Sequence, residues 1–191
     1  MKALQERIAK EGRIIDGRII KVDGFLNHRV DVELLNDMGK EFHRIFGEKG
    51  ITKILTAEAS GIAVAVIAAQ YFHVPVVFAK KAKSDNIEGG LYASEIFSYT
   101  YNKKVTFLVS KQWLGSDDKV LIIDDFLANG EAVRGLVDIV AMAGAELCGI
   151  GVAVEKGFQD GGKKLREQGI DLHSLAIIDG VVDGKFIFRE E

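Results

Sequence analysis

Short apolar runs alternate with longer amphipathic stretches along this chain. The apolar runs are rich in β-branched residues and have no polar face, which is typical of parallel strands covered by helices on both sides. They span residues 51–57, 74–79, 120–123 and 148–154. Helical spacing predicts helices over residues 62–71 and 131–143, the second ending at Gly144, where a left-handed cap is expected. This alternation predicts an α/β fold, a doubly wound parallel sheet with right-handed crossovers.

Two segments depart from this alternation. Residues 1–30 begin with a helix and continue, over residues 18–28, as an extended stretch leading into a loop, which suits a small hood over the sheet. Residues 80–105 are polar and alternate like antiparallel strands from residue 94 to residue 109, so we expect a flexible antiparallel loop there. Because the chain shows no repeat, low-complexity tract or linker, we expect one domain over residues 1–191.

Composition narrows the classes of partner. The 191 residues include 25 Lys+Arg and 28 Asp+Glu, a net charge of −3, and no long basic tract, so nucleic-acid binding is not expected. The N-terminal helix lacks the apolar core of a signal peptide, and no apolar run approaches the ~18 residues of a membrane span. The single cysteine, Cys148, cannot form an internal disulfide. We therefore expect a cytoplasmic protein that binds no membrane.

The clearest chemical signal is an apolar strand followed by two acids, a loop of small residues and a helix. It reads Val120-Leu121-Ile122-Ile123-Asp124-Asp125-Phe126-Leu127-Ala128-Asn129-Gly130-Glu131-Ala132. Backbone N–H groups at a helix N-terminus favour an anion, and small residues let a phosphate approach the backbone. The two acids can accept hydrogen bonds from vicinal sugar hydroxyls. An ordinary strand end followed by an Asn-Gly turn is the alternative, and the complete string in register favours the sugar-phosphate site.

This string resembles the 5-phosphoribosyl-1-pyrophosphate (PRPP) motif of the type I phosphoribosyltransferases. That motif has four apolar residues, two acids, two spacers and a small-Thr-Gly loop. The resemblance implies a catalytic role for Asp124 and Asp125 on the ribose hydroxyls. It also implies that the 5′-phosphate is bound by Ala128, Asn129, Gly130, Glu131 and Ala132. Asn129 replaces the common threonine, and Ala132 lacks a hydroxyl often found there, so the departures concern side-chain contacts and leave the backbone contacts intact.

Further segments are similar to the bacterial, dimeric, xanthine-specific branch of this family, whose members share the Ala-Asn-Gly loop. These segments are residues 21–28, 50–54, 60–63, 74–79 and 154–156. The resemblance implies a homodimer in which an N-terminal hood covers the base, and in which the backbone of Ile20 and the side chain of Asn27 bind xanthine. Ile20 replaces a usual leucine but keeps the backbone groups. An asparagine offers donors and an acceptor to a purine edge with a 2-oxo group, although Asn27 beside His28 also suits a simple turn.

Other site residues follow from the same likeness. Lys156 comes at the carboxyl end of a strand, where ligands of open α/β sheets collect, and it is assigned to the purine 6-oxo group. Phe158 is assigned to stacking on the base. Ser60, Gly61 and Lys81 are assigned to pyrophosphate. The alternative for Lys156 is a solvated surface lysine, and the alternative for Phe158 is simple packing. For Lys81 the alternative is a solvated basic run. The four histidines show no metal-ligand or triad spacing, so we expect no protein-held metal and Mg²⁺ carried with PRPP.

The resemblance as a whole implies a purine-salvage enzyme. Such an enzyme transfers the 5-phosphoribosyl group from PRPP to xanthine, giving xanthosine 5′-monophosphate and pyrophosphate. Two alternatives stay open. The base could instead be hypoxanthine, guanine or adenine, or the chain could be a regulator that binds PRPP without catalysis. Such regulators usually carry an additional DNA-binding domain, for which this chain has no room.

Overall fold

The computed structural model describes residues 1–15, 19–81, 90–98 and 103–190. Its strands are β1 (Arg13–Ile15), β2 (Ile19–Lys21), β3 (Lys53–Ala57), β4 (Val76–Ala79), β5 (Leu91–Ser98), β6 (Lys103–Ser110), β7 (Lys119–Leu127), β8 (Glu146–Lys156), β9 (Leu172–Val182) and β10 (Lys185–Phe188). Its α-helices are α1 (Lys2–Glu11), α2 (Val32–Phe46), α3 (Ser60–Phe72), α4 (Glu131–Ala143) and α5 (Gly161–Glu167). A π-helical turn spans Asp23–Asn27, and a 3₁₀ turn spans Gly47–Lys49.

A six-stranded sheet with the order β10-β9-β8-β7-β3-β4 lies at the centre. The four strand pairings between β9 and β4 are all parallel. Helix α3 connects β3 to β4, α4 connects β7 to β8, and α5 connects β8 to β9. This arrangement confirms the predicted doubly wound sheet. The strand order reverses between β3 and β7, so the carboxyl ends of these two strands border a topological switch point, where ligands of such sheets bind.

Two details of the sheet differ from the sequence prediction. Strand β10 pairs antiparallel with β9 and adds an unpredicted edge. Strand β7 does not end before the two acids but continues to Leu127, with Asp124 opposite Val152 and Phe126 opposite Val154 of β8. The acids therefore lie within the last part of a buried strand, because the parallel ladder with β8 continues past them.

The hood is extended over β2, as predicted, but not beyond it. Strands β1 and β2 pair antiparallel, but residues 23–27 form a helical turn. Phe25 and Leu26 are both fully buried. Consecutive residues of a strand point to opposite faces, so burying both neighbours on one core favours a helical turn. Helix α2 was also not predicted; it begins at its cap Asp31, whose carboxylate accepts the Leu34 N–H at 3.1 Å.

The sheet separates two hydrophobic cores. The hood, α1, α2 and α3 cover one face, and α4, α5 and the β5–β6 hairpin cover the other. Glycines in β8 admit aromatic rings from α2, since a Cβ on Gly151 would lie 2.7 Å from the Phe42 ring. Gly144 ends α4 with φ +69°, as predicted. None of the helices in the described parts of the chain is long and apolar enough to cross a bilayer.

The antiparallel strands predicted between residues 94 and 109 are confirmed as the β5–β6 hairpin. The hairpin is docked on α4: the Ser94 hydroxyl donates to Asp138 at 2.9 Å, and a Cβ on Gly135 would lie 2.5 Å from Ile96. The described part of this segment is therefore packed. Residues 82–89 and 99–102 lie outside the described residues, so flexibility of the segment stays a prediction.

Candidate active site

The loop after β3 meets strand β7 at the switch point between these two strands. The loop after β3 contains a cis peptide bond between Glu58 and Ala59 and leads into the first turn of α3. A Cβ on Gly61 would lie 2.6 Å from Asp124 Oδ1 and closer still to the Thr56 hydroxyl. Only glycine lets α3 begin so close to the carboxylate, so Ser60 and Gly61 are placed beside the paired acids.

The two acids are side by side and nearly inaccessible. Asp124 and Asp125 are each 6% exposed, and the Asp125 N–H donates to Asp124 Oδ1 at 3.0 Å. Burial, together with the charge of Asp125, raises the pKa of Asp124 well above its ordinary value of 3.8. Ligand hydroxyls, or positive charge brought by a ligand, would relieve this accumulation of buried negative charge.

The hood reaches these acids through one side chain. Asn27 Nδ2 donates to Asp125 Oδ2 at 3.1 Å, although the two residues are 98 positions apart. Ile20 lies in β2 opposite Ile14, and its side chain is buried in the same core as Phe25. The structure therefore brings the residue assigned to the base into contact with a residue assigned to ribose.

The predicted phosphate-binding segment, residues 128–132, is called here the phosphate loop. It follows β7 and runs into the first turn of α4, and Gly130 at the helix cap has φ +86°, which favours glycine. Glu131 accepts hydrogen bonds from Arg134 at 3.2 Å and from the Phe97 N–H at 3.4 Å, so its carboxylate is held on the hairpin. A cavity of about 200 Å³ is lined by the phosphate loop, Lys81 and Phe126 among others.

Lys156 is the last residue of β8, next to the end of β7. Its ammonium lies 5.8 Å from the centroid of the Phe126 ring. The side chain is half-buried, and burial lowers the pKa of Lys156 below its ordinary value of 10.5. Phe158 follows in the turn after β8 and is 41% exposed, so its ring is not part of either core. A desolvated lysine and an exposed ring thus border the same edge of the sheet.

A contact that the sequence does not predict joins Lys81, which is predicted to bind pyrophosphate, to the loop after β3. Glu58 Oε1 accepts the backbone N–H of Lys81 at 2.6 Å, and the Glu58 N–H donates to Ala79. The carboxylate therefore ties the start of the polar segment to the loop after β3. The charge of Lys81 acts to lower the pKa of Asp124, against the larger effect of burial. The presence of an acid, Glu58, in a loop predicted to bind an anion was the signal that could have indicated this contact.

Asp124→Asn is expected to stabilise the folded protein by about 1 kcal/mol or more at neutral pH, because it removes a buried charge beside a like charge. The raised pKa of Asp124 means that the wild-type penalty is absent below pH 3.8 and grows as the pH rises from there towards the folded-state pKa. Urea unfolding from pH 3 to pH 8 measures this difference. Equal stability of the two proteins at pH 8 would contradict it.

The chain is similar to known proteins over most of its length. Residues 32–178 match the family model described as phosphoribosyl transferase domain. The chain is 60% identical over 190 residues to the xanthine phosphoribosyltransferase of Ruminiclostridium cellulolyticum, with 100% of both chains covered. It is 56% identical to the enzyme of the same name from Lachnoclostridium phytofermentans, covering 99% of this chain and 98% of the relative.

The structural neighbours share the fold. The adenine phosphoribosyltransferase of Leishmania donovani superposes with a TM-score of 0.76 and 20% identity, covering 95% of this chain and 82% of the other. The corresponding protein of Rhodothermus marinus gives a TM-score of 0.74 with 20% identity, and covers 93% and 100%. On the extent of these matches, the chain belongs to the phosphoribosyltransferase family, in which it groups with the xanthine phosphoribosyltransferases.

Proposed function

We propose that the protein transfers the 5-phosphoribosyl group of PRPP to xanthine, giving xanthosine 5′-monophosphate and pyrophosphate in purine salvage. The observation that carries this proposal is the contact between Asn27 and Asp125. This contact supports the proposal because Asn27, proposed to bind the base, meets Asp125, proposed to hold the ribose, and Lys156 ends the neighbouring strand β8. The names of the relatives that share most of the sequence support xanthine as the base.

The reaction proposed here is a substitution at C1 of the ribose. A purine nitrogen forms the new bond to C1 as the C1–O bond to pyrophosphate breaks, and the proton on that nitrogen is released. The buried acids hold the ribose hydroxyls, and the phosphate loop holds the 5′-phosphate, so C1 is fixed between base and leaving group. The Lys156 ammonium donates to the 6-oxo group and stabilises negative charge that develops on the base.

The acids also suit Mg²⁺ that arrives with the substrate. The raised pKa of Asp124 shows that the negative charge of Asp124 and Asp125 is not balanced by nearby positive charge. Carboxylate oxygens are ligands that Mg²⁺ accepts. Within the described ranges no three metal-ligating side chains cluster, so the remaining ligands would be substrate oxygens and water. When bound, the ion neutralises pyrophosphate charge. A cytoplasmic homodimer remains part of the proposal.

A panel of bases separates the competing functions. The purified protein is given PRPP, Mg²⁺ and, in turn, xanthine, guanine, hypoxanthine or adenine, and nucleotide formation is followed. The proposal expects the highest kcat/KM with xanthine. A preference for adenine would remove the roles given to Asn27 and Lys156, and absence of product with every base would favour a non-catalytic regulator.

Asn27→Ala is expected to raise the KM for xanthine about tenfold, because a lost hydrogen bond to the base costs about 1 kcal/mol or slightly more. The amide is paired with Asp125 in this structure, and its loss leaves that carboxylate free, so the KM for PRPP should not rise. Steady-state kinetics with both xanthine and hypoxanthine give the matched comparison, because hypoxanthine lacks the 2-oxo group. An unchanged preference for xanthine over hypoxanthine would contradict the role of Asn27.

A further inference from the structure

Helix α5 begins directly against the phosphate loop. The Gly161 N–H donates to the Ala128 carbonyl at 3.2 Å. A Cβ on Gly161 would press on that carbonyl oxygen and lie 2.7 Å from Gly130 N, and a Cβ on Gly130 would lie 3.3 Å from Gly161 Cα. The two elements therefore touch backbone to backbone, in a glycine contact formed by Gly130 and Gly161, and any side chain at Gly161 must displace the loop.

An ion pair between the partly exposed Arg166 and the buried Glu155 fixes α5 in this place. Arg166 donates two hydrogen bonds to Glu155, at 2.7 and 2.8 Å, and the Ser174 hydroxyl donates a third. The Glu155 side chain is 2% exposed. Burial alone would raise the pKa of Glu155, but the hydrogen bonds from Arg166 and Ser174 outweigh it and lower that pKa. A helix of this length is not stable by itself, so its position depends on this anchor.

The Glu155–Arg166 ion pair is next in sequence to Lys156, the residue assigned to the base. Glu155 is followed in β8 by Lys156, and the turn after Lys156 leads straight to the glycine contact. This turn is held by the Gln159 N–H, which donates to the Lys156 carbonyl at 2.9 Å, and by the Gly157 N–H, which donates to Ile178 at 2.7 Å. One short, hydrogen-bonded segment therefore connects the lysine assigned to the purine with the loop assigned to the 5′-phosphate.

We propose that Gly161 is a positioning residue for PRPP binding. Because Gly161 has no side chain, its backbone contacts the phosphate loop and sets the position of that loop. In this position the loop N–H groups point to the 5′-phosphate. The Glu155–Arg166 ion pair keeps Gly161 in place. Hydrogen bonds to an anion are made near 2.9 Å, so a displacement of the loop by a fraction of an ångström weakens several of them together. This inference rests on the proposed binding of PRPP at residues 128–132.

Gly161→Ala tests the inference through the two substrates separately. We expect the KM for PRPP to rise about tenfold or more, while the KM for xanthine and kcat at saturating PRPP change by less than about threefold. Gly180→Ala is the control, because a Cβ at Gly180 meets nothing within 4 Å. The control should keep both KM values. Thermal unfolding is recorded for all three proteins.

Arg166→Lys is the second variant, since it keeps the charge but loses the bidentate fork and leaves Gly161 unchanged. It should raise the KM for PRPP in the same direction by about threefold, and it carries the test if Gly161→Ala does not fold. A lower unfolding temperature with a wild-type KM for PRPP would assign Gly161 and Arg166 to stability alone and overturn the inference. A wild-type protein that makes no nucleotide from PRPP would instead refute the proposed function.

Discussion

Replacing Asp125 with alanine is expected to lower kcat/KM for PRPP at least about a hundredfold. The carboxylate is buried beside Asp124, and a charge-assisted hydrogen bond to a ribose hydroxyl contributes about 1.5–3 kcal/mol. Loss of such bonds in a site closed to water reaches about 3 kcal/mol, and each 1.36 kcal/mol is a factor of ten in rate. Steady-state kinetics with varied PRPP at saturating xanthine measure the change.

The control for this substitution is Asp117→Ala, which removes an exposed carboxylate just before β7. It should leave kcat/KM within about twofold of wild type, because exposed charges contribute little. The folding stability of Asp125→Ala should not fall, since the substitution removes one of two neighbouring buried negative charges. Kinetics of Asp125→Ala close to wild type would refute the role assigned to the acid pair.

Lys156→Ala is expected to lower kcat about thirtyfold to a thousandfold, equivalent to about 2–4 kcal/mol of transition-state stabilisation. The ammonium is half-buried, where its interaction with charge developing on the purine is weakly screened. Single-turnover rates with xanthine provide the measurement. Lys163→Ala removes an exposed lysine of α5 and should change kcat little. An unchanged rate for Lys156→Ala would refute the role assigned to this lysine.

The pH profile gives an independent test of Lys156. Burial lowers the pKa of this lysine, so the protonated donor is lost at a lower pH than for an exposed lysine. The wild-type rate should therefore fall on the alkaline side as the pH rises through that lowered pKa. Lys156→Arg should move the fall to higher pH, because arginine stays protonated, although the altered shape lowers the maximum rate. The same alkaline limb in both proteins would assign it to another group.

The local structure of one contiguous segment could be predicted from the sequence, whereas its phosphate-binding role stays a prediction. The acids, the small-residue loop and the cap of α4 follow one another, so their order alone indicated a phosphate-binding turn. Residues 131–143 showed a helical spacing that ended at a glycine, and α4 has those bounds. Local order and periodicity are physical constraints that act within a few residues, which is why they can be recognised without a structure.

The contacts between distant segments could not be predicted. Asn27 meets Asp125 across 98 positions, and the first turn of α3 meets Asp124 because Gly61 has no side chain. Neither contact leaves a periodic signal, since each depends on how the hood and the helices pack on the sheet. Gly161 was likewise missed, although a glycine pair that follows a buried strand and opens a helix is a sign of close backbone approach.

The turn between β7 and α4 and the two acids before it form the proposed binding site for PRPP. Isothermal titration of the wild-type protein with PRPP in the presence of Mg²⁺ measures this binding. We expect saturable binding to the wild-type protein and binding by Asp125→Ala that is weaker by about a hundredfold. A folded wild-type protein that gives no heat of binding with PRPP and Mg²⁺ would show that this turn is not a PRPP site.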